Sequence, residues 1–192
     1  SIFTRKGSER VLKFAFDLAQ RREKKITVAT KSNGISISMP WWDARAAEMA
    51  ARYPDVKWDK QHIDILCARF VLNPDRFDVV VATNLFGDIL SDLGAALTGG
   101  LGVAPSGNLN PDRTGPSIFE PVHGSAPDIA GRNLASPAGA VLSSALMLDH
   151  LGQPQAAADL EAAVEAVLAA GAPTATDAWH KALADELARQ VA

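Results

Sequence analysis

The apolar positions along the chain change period several times, and those changes mark its elements. From Val79 to Ala82 they are continuous, with Phe77 just before, which predicts a strand buried on both faces of a parallel sheet. From Leu85 onward, Leu85, Phe86, Ile89, Leu90 and Leu93 recur at helical spacing, with Asn84 as the predicted N-cap. Upstream, Val11, Leu12, Ala15, Leu18 and Ala19 fall on one face of a helix with Ser8 as its predicted N-cap, and SIFTRKG before it reads as a strand end and turn. The basic run Arg21 to Lys25 suits that helix's C-terminus. KITVAT, Lys25 to Thr30, is rich in β-branched residues and predicts another strand. A helix follows from near Pro40 to Arg52. Ile63, Leu66, Cys67, Phe70 and Val71 then mark one more helical face, ended by Asn73-Pro74-Asp75.

After Leu93 the texture changes. Glycine and proline punctuate the chain as far as a short strand, SIFEPV, and a loop of small residues, HGSAPDIAG (His123 to Gly131). Alanine-rich helices are predicted at 137–151, 155–169 and 176–191. The order of elements gives an α/β fold with a parallel or mixed sheet flanked by helices. A seam near residue 98 divides it into 1–98 and 99–192.

Composition narrows the class. Hydrophobic residues make up 47% of 192, which excludes a disordered chain. The 19 basic and 22 acidic residues are mixed, and no basic stripe offers itself to nucleic acid. Cys67 is the single cysteine, so no internal disulfide framework exists and a reducing compartment is expected. No apolar run reaches transmembrane length and no signal-peptide pattern stands at the start, which reads as a soluble cytoplasmic protein without a membrane partner. The chain opens on Ser1 and already inside a folded motif.

Candidate chemistry centres on the strand-to-helix stretch Phe77 to Leu93. Asp88 and Asp92 lie four apart, on one face of the helix, where like charges repel. With no Lys or Arg beside them, they are either a solvated helix face or a site for a hard cation, Mg²⁺ or Mn²⁺. Their place after a buried strand puts acid at the carboxyl end of a parallel sheet, where open α/β folds bind ligands. Asp64, in KQHIDI, is either an exposed helix acid or a third carboxylate converging on those two. Lys31, at the end of KITVAT, is either a surface cation or a group that takes and gives a proton. HGSAPDIAG is either a tight connection or a loop whose backbone N–H groups approach a nucleotide, with Asp128 accepting from a ribose diol. His62, His150 and His180 fall in helical stretches without partner spacing and read as structural. No GxGxxG, Walker A, GxSxG or HExxH pattern occurs.

TKSNG, KQHIDI, NLFGDILSDL and EPVHGSAPDIAG, in that order, resemble the second half of the isocitrate/isopropylmalate dehydrogenase family, metal-dependent β-decarboxylating dehydrogenases. Within it, ATKSNGISISMPWWD and WDKQHIDILCARFVL most resemble the branch acting on tartrate and D-malate. The resemblance implies an isopropylmalate-dehydrogenase-like fold lacking its N-terminal half. The central, dimer-forming part with the metal and lysine site would lie in 1–98, and part of the NAD-binding domain in 99–192. It implies that Asp64, Asp88 and Asp92 hold Mg²⁺ or Mn²⁺, with Asp64 and the proton-relaying Lys31 reaching in from the partner of a homodimer. Glu120, His123, Gly124, Ser125, Ala126, Asp128, Ile129 and Ser136 would receive NAD, Asp128 holding the adenine ribose and disfavouring a 2′-phosphate. Ser136 stands where the family usually has Asn. The implied activity is oxidative decarboxylation of a small 2-hydroxy acid, D-malate or tartrate, with isopropylmalate as the enzymatic alternative and a non-catalytic partner subunit or dimerisation module as the alternative of another class. The arginines that clamp substrate carboxylates and the tyrosine that protonates the enolate belong to the missing half. Tyr53, the single tyrosine, lies outside the matching motifs. Alone, these 192 residues are expected to turn over little or not at all.

Overall fold

A computed structural model describes residues 2–191 of the chain. It divides into two compact units, one ending at Gly94 and the other beginning at Ala95.

The first unit is built on three parallel strands. These are β1 (Lys25–Thr30), β2 (Lys57–His62) and β3 (Val79–Val81), in the order β2-β1-β3. Helix α1 (Arg5–Arg21) starts four residues earlier than predicted, because the Thr4 hydroxyl accepts from the Gly7 N–H and caps it. Ser8, the predicted cap, is instead buried inside the helix. Helix α2 (Ser38–Ala50) joins α1 on one face of the sheet, where Leu12, Phe16, Ile26, Val28, Trp42 and Val81 form the main core. Helix α3 (Ile63–Leu72) begins as β2 ends, and α4 (Asn84–Leu97) follows β3 by two residues. Leu66 and Leu90, from these two helices, bury against Ala29 on the other face. Covering on both faces is why β3 reads as an unbroken apolar run and why β1 is buried from Ile26 to Thr30. The Thr83 carbonyl accepts from the Gly87 N–H, so the first helical bond starts at Thr83 and Asn84 is already within α4.

Strand β2 was not legible in the sequence. KWDKQH carries no apolar alternation because its inward positions are polar and pair with one another. Thr27 Oγ1 donates to Asp59 (2.6 Å), Gln61 Nε2 donates to Asp59 (2.7 Å), and Arg69 donates to Gln61 (2.8 Å). His62 therefore closes a strand and does not sit in a helix. Val71, predicted on the core face of α3, is 54% exposed. Tyr53 is structural: its hydroxyl donates to Asp17 at 2.7 Å and its ring packs on Phe16.

The second unit pairs β4 (Pro105–Asn108) with β5 (Ile118–Pro121) in an antiparallel ribbon. Helices α5 (Ala138–His150), α6 (Pro154–Ala169) and α7 (Thr176–Val191) share a core of Ala138, Ala163, Val164, Val167, Trp179 and Leu183. Strand β4, PSGN, is another that hydrophobic patterning could not mark. A Cβ at Gly139 would lie 3.1 Å from the Gly102 carbonyl and 3.3 Å from that of Ala104, so α5 approaches this backbone closely because it carries glycine there. Among the described residues no helix is long and apolar enough to cross a membrane.

Candidate functional site

Register brings Lys31 and Asp64 together. Thr30 pairs with His62, so β1 and β2 end level. Lys31 is the next residue after β1, and Asp64 lies in the first turn of α3, two residues past β2. Their side chains meet at 2.9 Å between Nζ and Oδ2. The backbone holds this corner firmly, since the Lys31 carbonyl accepts from Gly34 N–H (2.9 Å) and Ile35 N–H (2.8 Å).

The Lys31 ammonium bonded to it holds the Asp64 carboxyl below its ordinary range, and the N–H groups at the start of α3 act in the same direction. Because the folded-state pKa is depressed, the pair's contribution is complete above the unfolded-state pKa and is lost as pH falls through the folded one. Asp64 is exposed, so this contribution to stability is small. Lys31→Met is expected to move the Asp64 titration back up towards the ordinary carboxylate range, as read by carboxyl-carbon NMR. An unmoved midpoint would show that the pair does not persist in solution.

Asp88 and Asp92 lie one turn apart on α4, both exposed. Among the described residues neither carboxylate makes a hydrogen bond or ion pair. No group of three or more His, Cys, Asp or Glu that could hold a metal is gathered within the described residues. Asp64 is thus not brought into one cluster with Asp88 and Asp92 by a single chain. The residues form two partial sites: Lys31 with Asp64, and Asp88 with Asp92. A cavity of about 650 Å³ near the start of α4 is lined by Phe3, Met39, Trp42, Ala82, Asn84 and Phe86 among others. No charged side chain among the described residues lines it, so it offers nothing to a carboxylate substrate.

In the second unit the loop after β5 folds over another cavity of about 650 Å³. His123, Gly124, Ser125, Ala126, Ile129 and Ser136 all line it, so six of the residues singled out in the sequence converge. Glu120, exposed on β5, and Asp128, exposed in the loop, are not part of the lining. A volume of this size accommodates a nucleoside. Small residues keep its walls open, and a Cβ at Gly124 would meet nothing within 4 Å. His123 Nδ1 lies 2.9 Å from the Gly124 carbonyl. A carbonyl only accepts, so Nδ1 carries a proton in this contact. Ser136 Oγ accepts from the Ala138 N–H two residues on, while Pro137 stands at the N-cap of α5.

Sequence reading missed the far wall of this cavity, Leu101, Gly102, Asn133, Leu134, Ala135 and Thr176. Asn133 is its key residue. It has φ of 58°, a conformation asparagine tolerates, and its amide donates to Asp177 at 2.8 Å. The Asp177 N–H donates back to Asn133 Oδ1, and the Thr176 hydroxyl donates to the Ala135 carbonyl (2.7 Å). The start of α7 is thereby tied to the loop. The Asn133 amide and the Ala178 N–H hold the Asp177 carboxyl below its ordinary range. The available signal was asparagine two residues after a glycine in a turn.

Parallel strands with a lysine and carboxylates at their carboxyl ends, joined in one chain to a unit whose small-residue loop covers a nucleoside-sized cavity, define an α/β ligand-binding protein. Residues 1–189 match the isocitrate/isopropylmalate dehydrogenase family, and the chain belongs to that family. It is 60% identical to a tartrate dehydrogenase/decarboxylase of Pseudomonas putida, over 98% of this chain and 56% of that protein. It is 61% identical to a D-malate dehydrogenase (decarboxylating) of Escherichia coli, over 91% of this chain and 50% of the relative. In structure it resembles the isocitrate dehydrogenase of Methylococcus capsulatus, with a TM-score of 0.90 and 40% identity, covering 97% of this chain and 57% of that one. The chain spans about half the length of the curated relatives it matches. Its fold is that of isocitrate dehydrogenase-like proteins.

Proposed function

We propose that this chain is the C-terminal half of an NAD-dependent, Mg²⁺- or Mn²⁺-dependent oxidative decarboxylase of D-malate or tartrate, working as a homodimer with shared active sites. The observation that carries the reading is the division into two partial sites. Lys31 and Asp64 are paired with each other, while among the described residues no ion pair reaches Asp88 or Asp92. Docking one copy's Lys31–Asp64 corner on the other's α4 would gather three carboxylates and one amine. Apolar surface on the same two helices, Ile65 and Leu72 on α3 and Leu85 and Ile89 on α4, supports association because it is exposed in the single chain. Residues 1–98 would supply the dimer contact and this chemistry, and residues 99–192 would receive NAD.

The donor set fits a hard divalent cation, since unpaired carboxylates one turn apart repel until a cation joins them. Asp88 and Asp92 would hold it from one subunit and Asp64 from the other. When bound, the cation lowers the cost of removing the substrate's hydroxyl proton and stabilises charge as CO₂ leaves. Lys31, as the neutral amine left once its own proton has gone to solvent, would take that proton, and Asp64 would keep the amine aimed into the site. NAD, whose adenosine would occupy the cavity lined by His123, Ala126, Ile129 and Ser136, supplies the hydride acceptor. Asp128, at the loop surface, would accept from the ribose diol and repel a 2′-phosphate. D-malate and NAD⁺ would yield pyruvate, CO₂ and NADH.

The test is NADH formation by the intact gene product with Mn²⁺, offered D-malate, tartrate and 3-isopropylmalate in parallel. Chelator-sensitive turnover of D-malate or tartrate is the expected result. Turnover of isopropylmalate alone moves the substrate class within the family. NAD binding without turnover of any of them overturns the catalytic reading in favour of a partner subunit.

A further inference from the structure

Asp43 is an unusual residue for its position. It sits on α2 with its side chain 10% exposed, next to the fully buried Trp42. Burying a carboxylate is costly, and an apolar side chain would pack this position without that cost. Its contacts show what the charge does. Oδ2 accepts from Lys60 Nζ at 2.8 Å, and the hydroxyls of Thr30 and Ser32 lie beside the carboxylate. Thr30 and Ser32 are the residues on either side of Lys31, and Lys60 lies on β2, four residues before Asp64. Burial pushes the Asp43 carboxyl up, and Lys60 with the two hydroxyls pulls it further down, to a net position below its ordinary range. The Thr30 hydroxyl and Asp43 Oδ1 are both buried and complete no full hydrogen bond, although the hydroxyl is near enough to favour the charged carboxylate.

We propose that Asp43 is a positioning residue for the Lys31–Asp64 pair: through Lys60 it holds the strand that delivers Asp64 to the lysine. This rests on the reading of Lys31 as the proton relay, but the placement of the lysine can be measured without it. Lys31 is held at Asp64 by a rigid corner, and its amine is shielded by that pairing. Loosening the corner frees the amine.

The experiment is competitive acetylation of the 192-residue chain followed by peptide mass spectrometry, with Lys6 and Lys181, exposed on α1 and α7, as internal standards. Asp43→Asn removes the charge at constant shape, and Thr30→Val removes one hydroxyl from a strand position that tolerates valine. Lys31 labelling is expected to rise about threefold over the standards in Asp43→Asn, as the charge-assisted contact to Lys60 is lost, and to stay unchanged in Thr30→Val, whose hydroxyl completes no hydrogen bond. Lys60 labelling should rise in Asp43→Asn alone. Unchanged Lys31 labelling in folded Asp43→Asn, with Lys60 freed, overturns the proposal. In the intact protein, Asp43→Asn is expected to lower kcat about tenfold or more with KM for the hydroxy acid little changed, because the misplaced group acts in the chemical step. A freed Lys31 in a protein whose unaltered form produces no NADH would keep the positioning role and reject the dehydrogenase reading.

Discussion

Lys31→Met in the intact protein is expected to lower kcat by about 10²–10⁴-fold, the usual contribution of a placed acid–base group. Methionine keeps the length and apolar stem of the lysine, so the turn held by Gly34 and Ile35 should survive. Because Lys31 is not itself one of the proposed cation ligands, Mn²⁺ affinity should change far less than kcat. Steady-state kinetics with Mn²⁺ titration separates the two effects. A variant with normal kcat would return Lys31 to the role of a surface cation. A variant whose defect is cured by excess Mn²⁺ would make its role one of metal binding.

Subunits carrying Lys31→Met mixed with subunits carrying Asp88→Asn should regain activity that neither has alone. If each site takes Asp88 from one chain and Lys31 from the other, a mixed dimer holds one site with both residues intact and one with neither. Random exchange makes half of the dimers mixed, and half of their sites work, so recovery should approach about a quarter of the unaltered rate. Physical reasoning from the single chain requires this result if the shared-site reading holds, since its carboxylates are not gathered in one group. Activity that stays at the level of the separate variants would place both residues in one subunit's site and overturn the sharing.

Much of the first unit was legible because burial on both faces writes itself into the sequence. KITVAT and VVV are strands at or within a residue of the predicted positions, and the three C-terminal alanine-rich helices fall close to their predicted spans. Six residues that the family resemblance singled out, His123 to Ala126, Ile129 and Ser136, do line one cavity. What escaped follows a physical rule. Strand β2 turns Asp59 and Gln61 inward and satisfies them with Thr27 and Arg69, so its core face is polar and leaves no period-2 signal. Strand β4 is only four residues, starts with proline, and pairs with one neighbour. Helix starts shifted by a few residues where Thr4 outcompeted Ser8 as a cap.

The sequence by itself determined which groups this protein has to work with: a lysine at a strand end, acids four apart on a helix, and a loop of small residues, each fixed by local spacing. The tertiary structure alone decided which of them meet. Lys31 finds Asp64 because the register of β1 on β2 ends both strands together, and register is a property of pairing between segments more than thirty residues apart. Asp43 likewise meets Lys60, 17 residues on, only because α2 packs over the sheet. Asn133 joins α7 to the cavity wall only after the chain has returned from 44 residues away. Local spacing cannot encode such meetings, because they depend on how separate elements pack and not on the period within any one of them.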